Sequence, residues 1–104
     1  MSYRAVVLED AKLDLDDIEE YLSQFYPSTA RSFFKNLEKK VSMLEDMPYL
    51  YPEYQSDPFF RRMVVGDYLL FYSVEEEREQ VIIHRVFHSA RDVSQIILAK
   101  RKPN

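Results

Sequence analysis

The side chains best suited to chemistry gather in two stretches, Arg61-Arg62 and His84-Arg85-Val86-Phe87-His88-Ser89-Ala90-Arg91-Asp92, the second holding both histidines of the chain. A histidine moves a proton near neutral pH, and an arginine three residues on can grip a phosphate or carboxylate with two parallel bonds. Cleavage of RNA by its own 2′-hydroxyl needs such parts: a base, an acid for the leaving oxygen, and cations for the charge on a phosphorane-like centre. On this reading His88 and Arg91 are catalytic candidates. Arg61, Arg62, Arg85 and Arg91 together are an anion-binding surface. A structural reading stands beside it: Arg91 and Asp92 pair with each other, or Asp92 or Ser94 caps a following helix.

Other chemistries fit less well. His84 and His88 would converge on a metal if they stood on a helix, but on a strand that spacing spans ~13 Å. The chain has no cysteine, and no third ligand is identifiable, so neither a metal nor any other cofactor is expected. Ser89 beside His88 lacks the glycine-elbow context of a hydrolase triad. On a strand Arg61 and Arg62 face opposite ways, so at most one points toward a core, where it needs an acidic partner. By strict alternation Arg85 shares a face with Val81, Ile83 and Phe87, and His84 shares the other with Ile82, Val86 and His88. Both faces are largely apolar, so one of Arg85 and His84 is semi-buried and needs a partner; His84 reads as a satisfied core or edge histidine. Tyr49, Tyr51 and Tyr54 read as packing rather than as stacking platforms for bases.

The chain that must position these groups has 104 residues with one glycine and five prolines. That length suits one domain over residues 1–104 with a single core. No apolar run approaches the roughly 20 residues of a membrane span, and no basic-then-apolar leader pattern opens the chain. A cytoplasmic domain without membrane contact is the expectation. The net charge of −4 hides an asymmetry. Residues 9–20 carry seven acids against Lys12, a net −6, and residues 75–79 carry four glutamates against Arg78, a net −3, leaving +5 elsewhere. Fields act locally, so an acidic mean is compatible with an anionic partner, although it argues against indiscriminate coating of nucleic acid.

The elements follow from periodicity. Residues 3–8 read as a short strand, and from Glu9 the period changes. Ala11, Leu15, Ile18, Leu22 and Phe25 then make one apolar helical stripe, with acids in the first turns where the helix dipole favours them. Pro27 breaks this helix and opens a second, with Ser28 and Thr29 as candidate caps and Ala30, Phe33, Phe34, Leu37, Val41 and Leu44 as its apolar face. Pro48 ends it, and residues 48–58 form an irregular, tyrosine-packed loop. Three strands follow: Phe60–Val65, a tight turn at Gly66-Asp67, Tyr68–Val74, a turn over 75–79, and Gln80–Phe87. A short helix over Ser94–Lys102 with a basic tip closes the chain. The expected fold is α+β, β-α-α-β-β-β(-α), a helical hairpin on one face of a small, mainly antiparallel sheet whose other face is free to work.

This order, together with Arg61-Arg62-Met63-Val64-Val65-Gly66-Asp67-Tyr68-Leu69-Leu70-Phe71-Tyr72 and Arg85-Val86-Phe87-His88-Ser89-Ala90-Arg91-Asp92, resembles the RelE/ParE superfamily of type II toxin–antitoxin toxins. Leu13-Asp14-Leu15-Asp16-Asp17-Ile18 and Met43-Leu44-Glu45-Asp46-Met47-Pro48 extend the resemblance over nearly the whole chain. It is closer to the ParE branch, whose members poison DNA gyrase. The ribosome-dependent mRNA endonucleases commonly carry an arginine where this chain has Leu69, and several use a tyrosine near the C-terminus, whereas Tyr72 is the last tyrosine here. The resemblance implies a plasmid-stabilising growth inhibitor that acts on gyrase. The alternatives it implies are cleavage of ribosome-bound mRNA, with Arg62 and Arg91 on the phosphate and His88 as acid or base, or a non-toxic homologue that still binds antitoxin. It further implies a cognate antitoxin whose acidic segment orders against the helical hairpin and the sheet near Arg61, Arg62 and Arg85.

Overall fold

The switch of apolar period at Glu9 marks a real boundary. In the computed structural model, which describes residues 2–90, strand β1 (Arg4–Val7) passes through Leu8 into helix α1 (Glu9–Phe25). No side chain caps α1; Glu9 and Asp10 in its first turn meet the positive end of the helix dipole instead. A single residue, Tyr26, separates α1 from α2 (Pro27–Asp46). Pro27 is preorganised for the first helical position, where its missing N–H costs nothing. Ser28 and Thr29 therefore fall inside α2, and neither serves as the cap expected of it. Phe25 also departs from expectation: it is 56% exposed, because at the end of α1 its ring lies against Tyr21 and Tyr26 rather than against the core.

The strands β2 (Arg61–Val65), β3 (Tyr68–Glu75) and β4 (Gln80–His88) complete the sheet. The helix expected over Ser94–Lys102 lies outside the described residues. The sheet order is β1-β4-β3-β2, with β1 parallel to β4 and the other pairs antiparallel. Between β2 and β3 the chain turns at Gly66, whose φ of +58° is costly for any residue with a Cβ.

One face of the sheet meets the helical hairpin. Ala11, Ile18 and Leu22 of α1 and Phe33, Leu37 and Leu44 of α2 are buried against Met63, Val65, Leu70, Tyr72, Ile83 and Val86. The other face is less open than the sequence suggests. Phe60, Phe71 and Phe87 form a second buried cluster there, with Tyr54 from the preceding loop packed edge-on to Phe71 at 5.0 Å.

A β-bulge decides which way the functional side chains point. Tyr72 pairs with Ile83 but Phe71 pairs with Arg85, so His84 is an inserted residue. Strict alternation is thereby broken. Val81, Ile83 and Val86 all belong to the core on the helix side, while Phe87 belongs to the cluster opposite. The expected grouping of Arg85 and Phe87 with Val81 and Ile83 is corrected accordingly, as is that of Val86 with His84.

Two carboxylates finish the sheet where strands run out. The last β1-to-β4 bond runs from the Leu8 N–H to the Ile83 carbonyl at 3.0 Å, and beyond it the Val86 N–H donates to Asp14 Oδ2 at 2.9 Å. On the outer edge of β1, the Tyr3 N–H donates to the Glu45 carbonyl and the Ala5 N–H to Glu45 Oε2 at 2.8 Å.

Candidate functional site

Arg61, Arg62 and Arg85 do three different jobs. Arg61 leads β2 on the helix side, in register with Tyr72. Its guanidinium donates to the Tyr51 carbonyl at 2.7 Å, lies 4.9 Å from the centre of the Tyr49 ring, and stands 3.7 Å from the Glu53 carboxylate. It holds the proline- and tyrosine-rich loop against the sheet. Arg62 emerges on the opposite face, exposed, with its guanidinium 5.7 Å from the centre of the Tyr54 ring. Arg85 sits at the bulge and turns back to α1. Its Nε and Nη2 donate to the two oxygens of Asp14 at 2.7 and 2.9 Å, and its guanidinium lies 4.4 Å from the centre of the Phe87 ring. The hydrogen bonds to Asp14, opposed by burial and aided by the charges of Asp14 and Asp10, hold the Arg85 guanidinium protonated even more firmly than usual. Both histidine and arginine of the bulge thus find partners, His84 through an Nε2 to Ser73 Oγ contact of 2.9 Å.

His88 does not face Arg62. It pairs across the sheet with Tyr68, which pairs with Val65. Arg62 is therefore ~10 Å away along the strands and ~10 Å across them. His88 also lies on the helix side, its ring 5.3 Å from that of Tyr68, which in turn packs on Phe33 at 5.1 Å. The sheet itself stands between the two groups. His88 Nδ1 accepts from the Ala90 N–H at 3.1 Å, which leaves the proton of the neutral ring on Nε2. Arg91, the third member of the expected catalytic set, lies outside the described residues, as does Asp92. Among the described residues no three His, Cys, Asp or Glu side chains gather as metal ligands.

The structure instead brings His88 together with tyrosines that sequence reasoning passed over. A groove of about 910 Å³ runs between the tip of the helical hairpin and the β2–β3 turn, walled by Tyr21, Tyr26, Phe33, Tyr68 and His88, with Asp67 at one end. Burial, reinforced by the nearness of Tyr21 and Asp67, pushes the Tyr68 phenol above its ordinary pKa. Three phenols and a carboxylate therefore share this space. The sequence signal was faint: Tyr21 departs from the apolar stripe of α1, and Tyr26 stands at the break.

The fold defined by this sheet and helical hairpin is that of the RelE/ParE superfamily toxins. The chain belongs to the ParE toxin family of type II toxin–antitoxin systems, whose family model matches residues 6–93. Among solved structures, it is similar to the chromosomal ParDE toxin–antitoxin system of P. aeruginosa, at 16% identity over 84% of this chain and 96% of that one, with a TM-score of 0.69. A mutant of the E. coli RelE toxin in the free state is similar at 17% identity over 99% and 100% of the two chains, TM-score 0.69. The RelBE2 toxin–antitoxin complex of Mycobacterium tuberculosis is similar at 21% identity over 85% and 99%, TM-score 0.61. No curated protein sequence matches significantly. Among the described residues no helix is long and apolar enough to cross a membrane.

Proposed function

We propose that this toxin acts as a ParE-like binding inhibitor of DNA gyrase, without chemistry of its own. The observation that carries this reading is the separation of His88 from Arg62 by the width of the sheet. A general acid or base must come within hydrogen-bond reach of the atom it serves, and these two groups do not converge on one phosphate. The absence of an arginine at Leu69 points the same way. The cytoplasm is the compartment in which such a target is met.

The test is a gyrase supercoiling and cleavage-complex assay with purified, folded protein. Loss of supercoiling with trapped cleaved DNA is expected, and His88→Ala should inhibit as well as the parent. Folded protein that leaves gyrase untouched, yet cleaves mRNA on translating ribosomes in a manner abolished by Arg62→Ala or His88→Ala, would overturn the proposal.

We further propose a cognate antitoxin as the resident partner, in keeping with relatives described as toxin–antitoxin complexes. Its dock comprises the helical hairpin and the sheet near Arg61, Arg62 and Arg85. Arg61 and Arg85 already serve acids of this chain, so Arg62 is the arginine that receives an acidic group of the antitoxin.

A further inference from the structure

The groove between the hairpin tip and the β2–β3 turn has the opposite chemistry to the arginine-bearing sheet. Its walls are the rings of Tyr21, Tyr26, Phe33, Tyr68 and His88, and the charged side chain lining it is the carboxylate of Asp67. Tyr21 and Tyr26 are 54% and 55% exposed, so their rings are open to a ligand. Aromatic faces are electron-rich and attract cations that pass within about 6 Å of the ring centre. Among the described residues no cation stands within salt-bridge distance of Asp67.

We infer that this groove is a receptor for a basic side chain, foremost an arginine, borne on an otherwise apolar stretch of the antitoxin. The guanidinium lies against the tyrosine faces and pairs with Asp67, while its methylene stem covers the apolar floor at Phe33. Arginine is favoured over lysine because its planar group stacks on a ring and still offers a fork to a carboxylate. The antitoxin segment is then mixed in charge, with an acid for Arg62 on one side of the toxin and a base for Asp67 on the other. Taking the antitoxin as the bearer rests on the function proposed above; the cation-receiving groove does not.

The test is a titration of the full-length protein, followed by the backbone amide NMR signals of Gly66, Asp67, Tyr68 and Ser89. The probe is a short blocked peptide with one arginine between leucines, compared with its twin carrying citrulline, which has the same shape and no charge. The arginine peptide should shift these signals saturably, and citrulline should bind roughly five- to tenfold more weakly through loss of both the cation–π and the ionic contact. Asp67→Asn should weaken the arginine peptide roughly two- to fivefold and leave the citrulline peptide unchanged. Tyr21→Leu keeps an apolar body without the π face, and should likewise weaken only the arginine peptide. Equal binding of the twins overturns the inference. So do signals that move with protein concentration alone, which would mean that a second copy fills the groove. Signals of Lys100, Arg101 and Lys102 that move on Asp67→Asn without peptide would show that this chain's own cations fill it, with the same consequence. A negative gyrase assay would leave all of these outcomes intact.

Discussion

Replacement of Asp14 by alanine isolates the contact that joins α1 to the end of the sheet. The carboxylate accepts from Arg85 Nε at 2.7 Å, from Arg85 Nη2 at 2.9 Å and from the Val86 N–H at 2.9 Å. The side chains are only 19% and 12% exposed for Arg85 and Asp14, so water replaces these bonds poorly. Stranding the backbone donor costs ~1–2 kcal/mol. Loss of the bidentate pair adds ~1–2 kcal/mol, at the low end for a charge-assisted pair because the guanidinium retains the Phe87 ring and some water. The total is about 3 kcal/mol, a large fraction of the ~5–15 kcal/mol that stabilises a domain, and it corresponds to roughly 10–20 °C in Tm. Urea unfolding measures it, through a midpoint that falls while the slope stays constant. Asp14→Asn retains an acceptor for Val86 but loses the charge, so it should cost about half as much. A double-mutant cycle with Arg85→Met should return a coupling of ~1–2 kcal/mol. The reasoning fails if Asp14→Ala unfolds within ~0.5 kcal/mol of the parent, or if the asparagine and alanine variants are equally damaged.

Three further perturbations test other parts of the structure. Gly66→Ala should destabilise by ~1–2 kcal/mol purely through its φ of +58°, since the added Cβ would meet Phe33 Cδ1 at an ordinary 3.9 Å; Gly66→Asn should recover part of this in thermal melts. Tyr72 donates to the Pro48 carbonyl at 2.8 Å, and burial pushes its phenol above the ordinary value of ~10. The unfolded chain therefore loses this proton first, so stability should hold below about pH 9 and fall as pH rises through and beyond 10; Tyr72→Phe should cost ~1–2 kcal/mol at neutral pH and flatten that decline. Glu45→Ala should free the amide of Ala5 from the Glu45 carboxylate, read as faster hydrogen exchange at Ala5 than at Val6, whose strand bonds to β4 remain.

Whether an element was legible in the sequence depended on how local its cause is. The helix break is written in Tyr26-Pro27, and the β2–β3 hairpin in Gly66-Asp67, because each is decided by the φ preference of one or two residues. That one of Arg85 and His84 needs a partner could also be read, since both stand among apolar neighbours. Their partners could not, because Asp14 lies 71 residues from Arg85 in the chain and is one of seven acids in its segment. The inserted His84 was equally hidden: a bulge is a mismatch between two strands, and neither strand alone records it. From that one residue follows the error in assigning Arg85 and Val86 to their faces. The aromatic groove escaped for a related reason, as Tyr21, Tyr26 and Tyr68 become neighbours only when the hairpin lies over the β2–β3 turn.

The sheet order also bears on when the toxin can exist as such during its own synthesis. β1 is made first, yet among the described residues the strand it pairs with is β4, whose Gln80–Ile83 pair with Arg4–Val7. β4 is also the strand on which β3 and the end of α1 settle. The helical hairpin can form early, but its apolar face has no finished sheet to cover until residue 88 has left the ribosome. Contacts so distant along the chain are slow to close and come late. A truncated or stalled nascent chain thus carries helices without the finished sheet they cover.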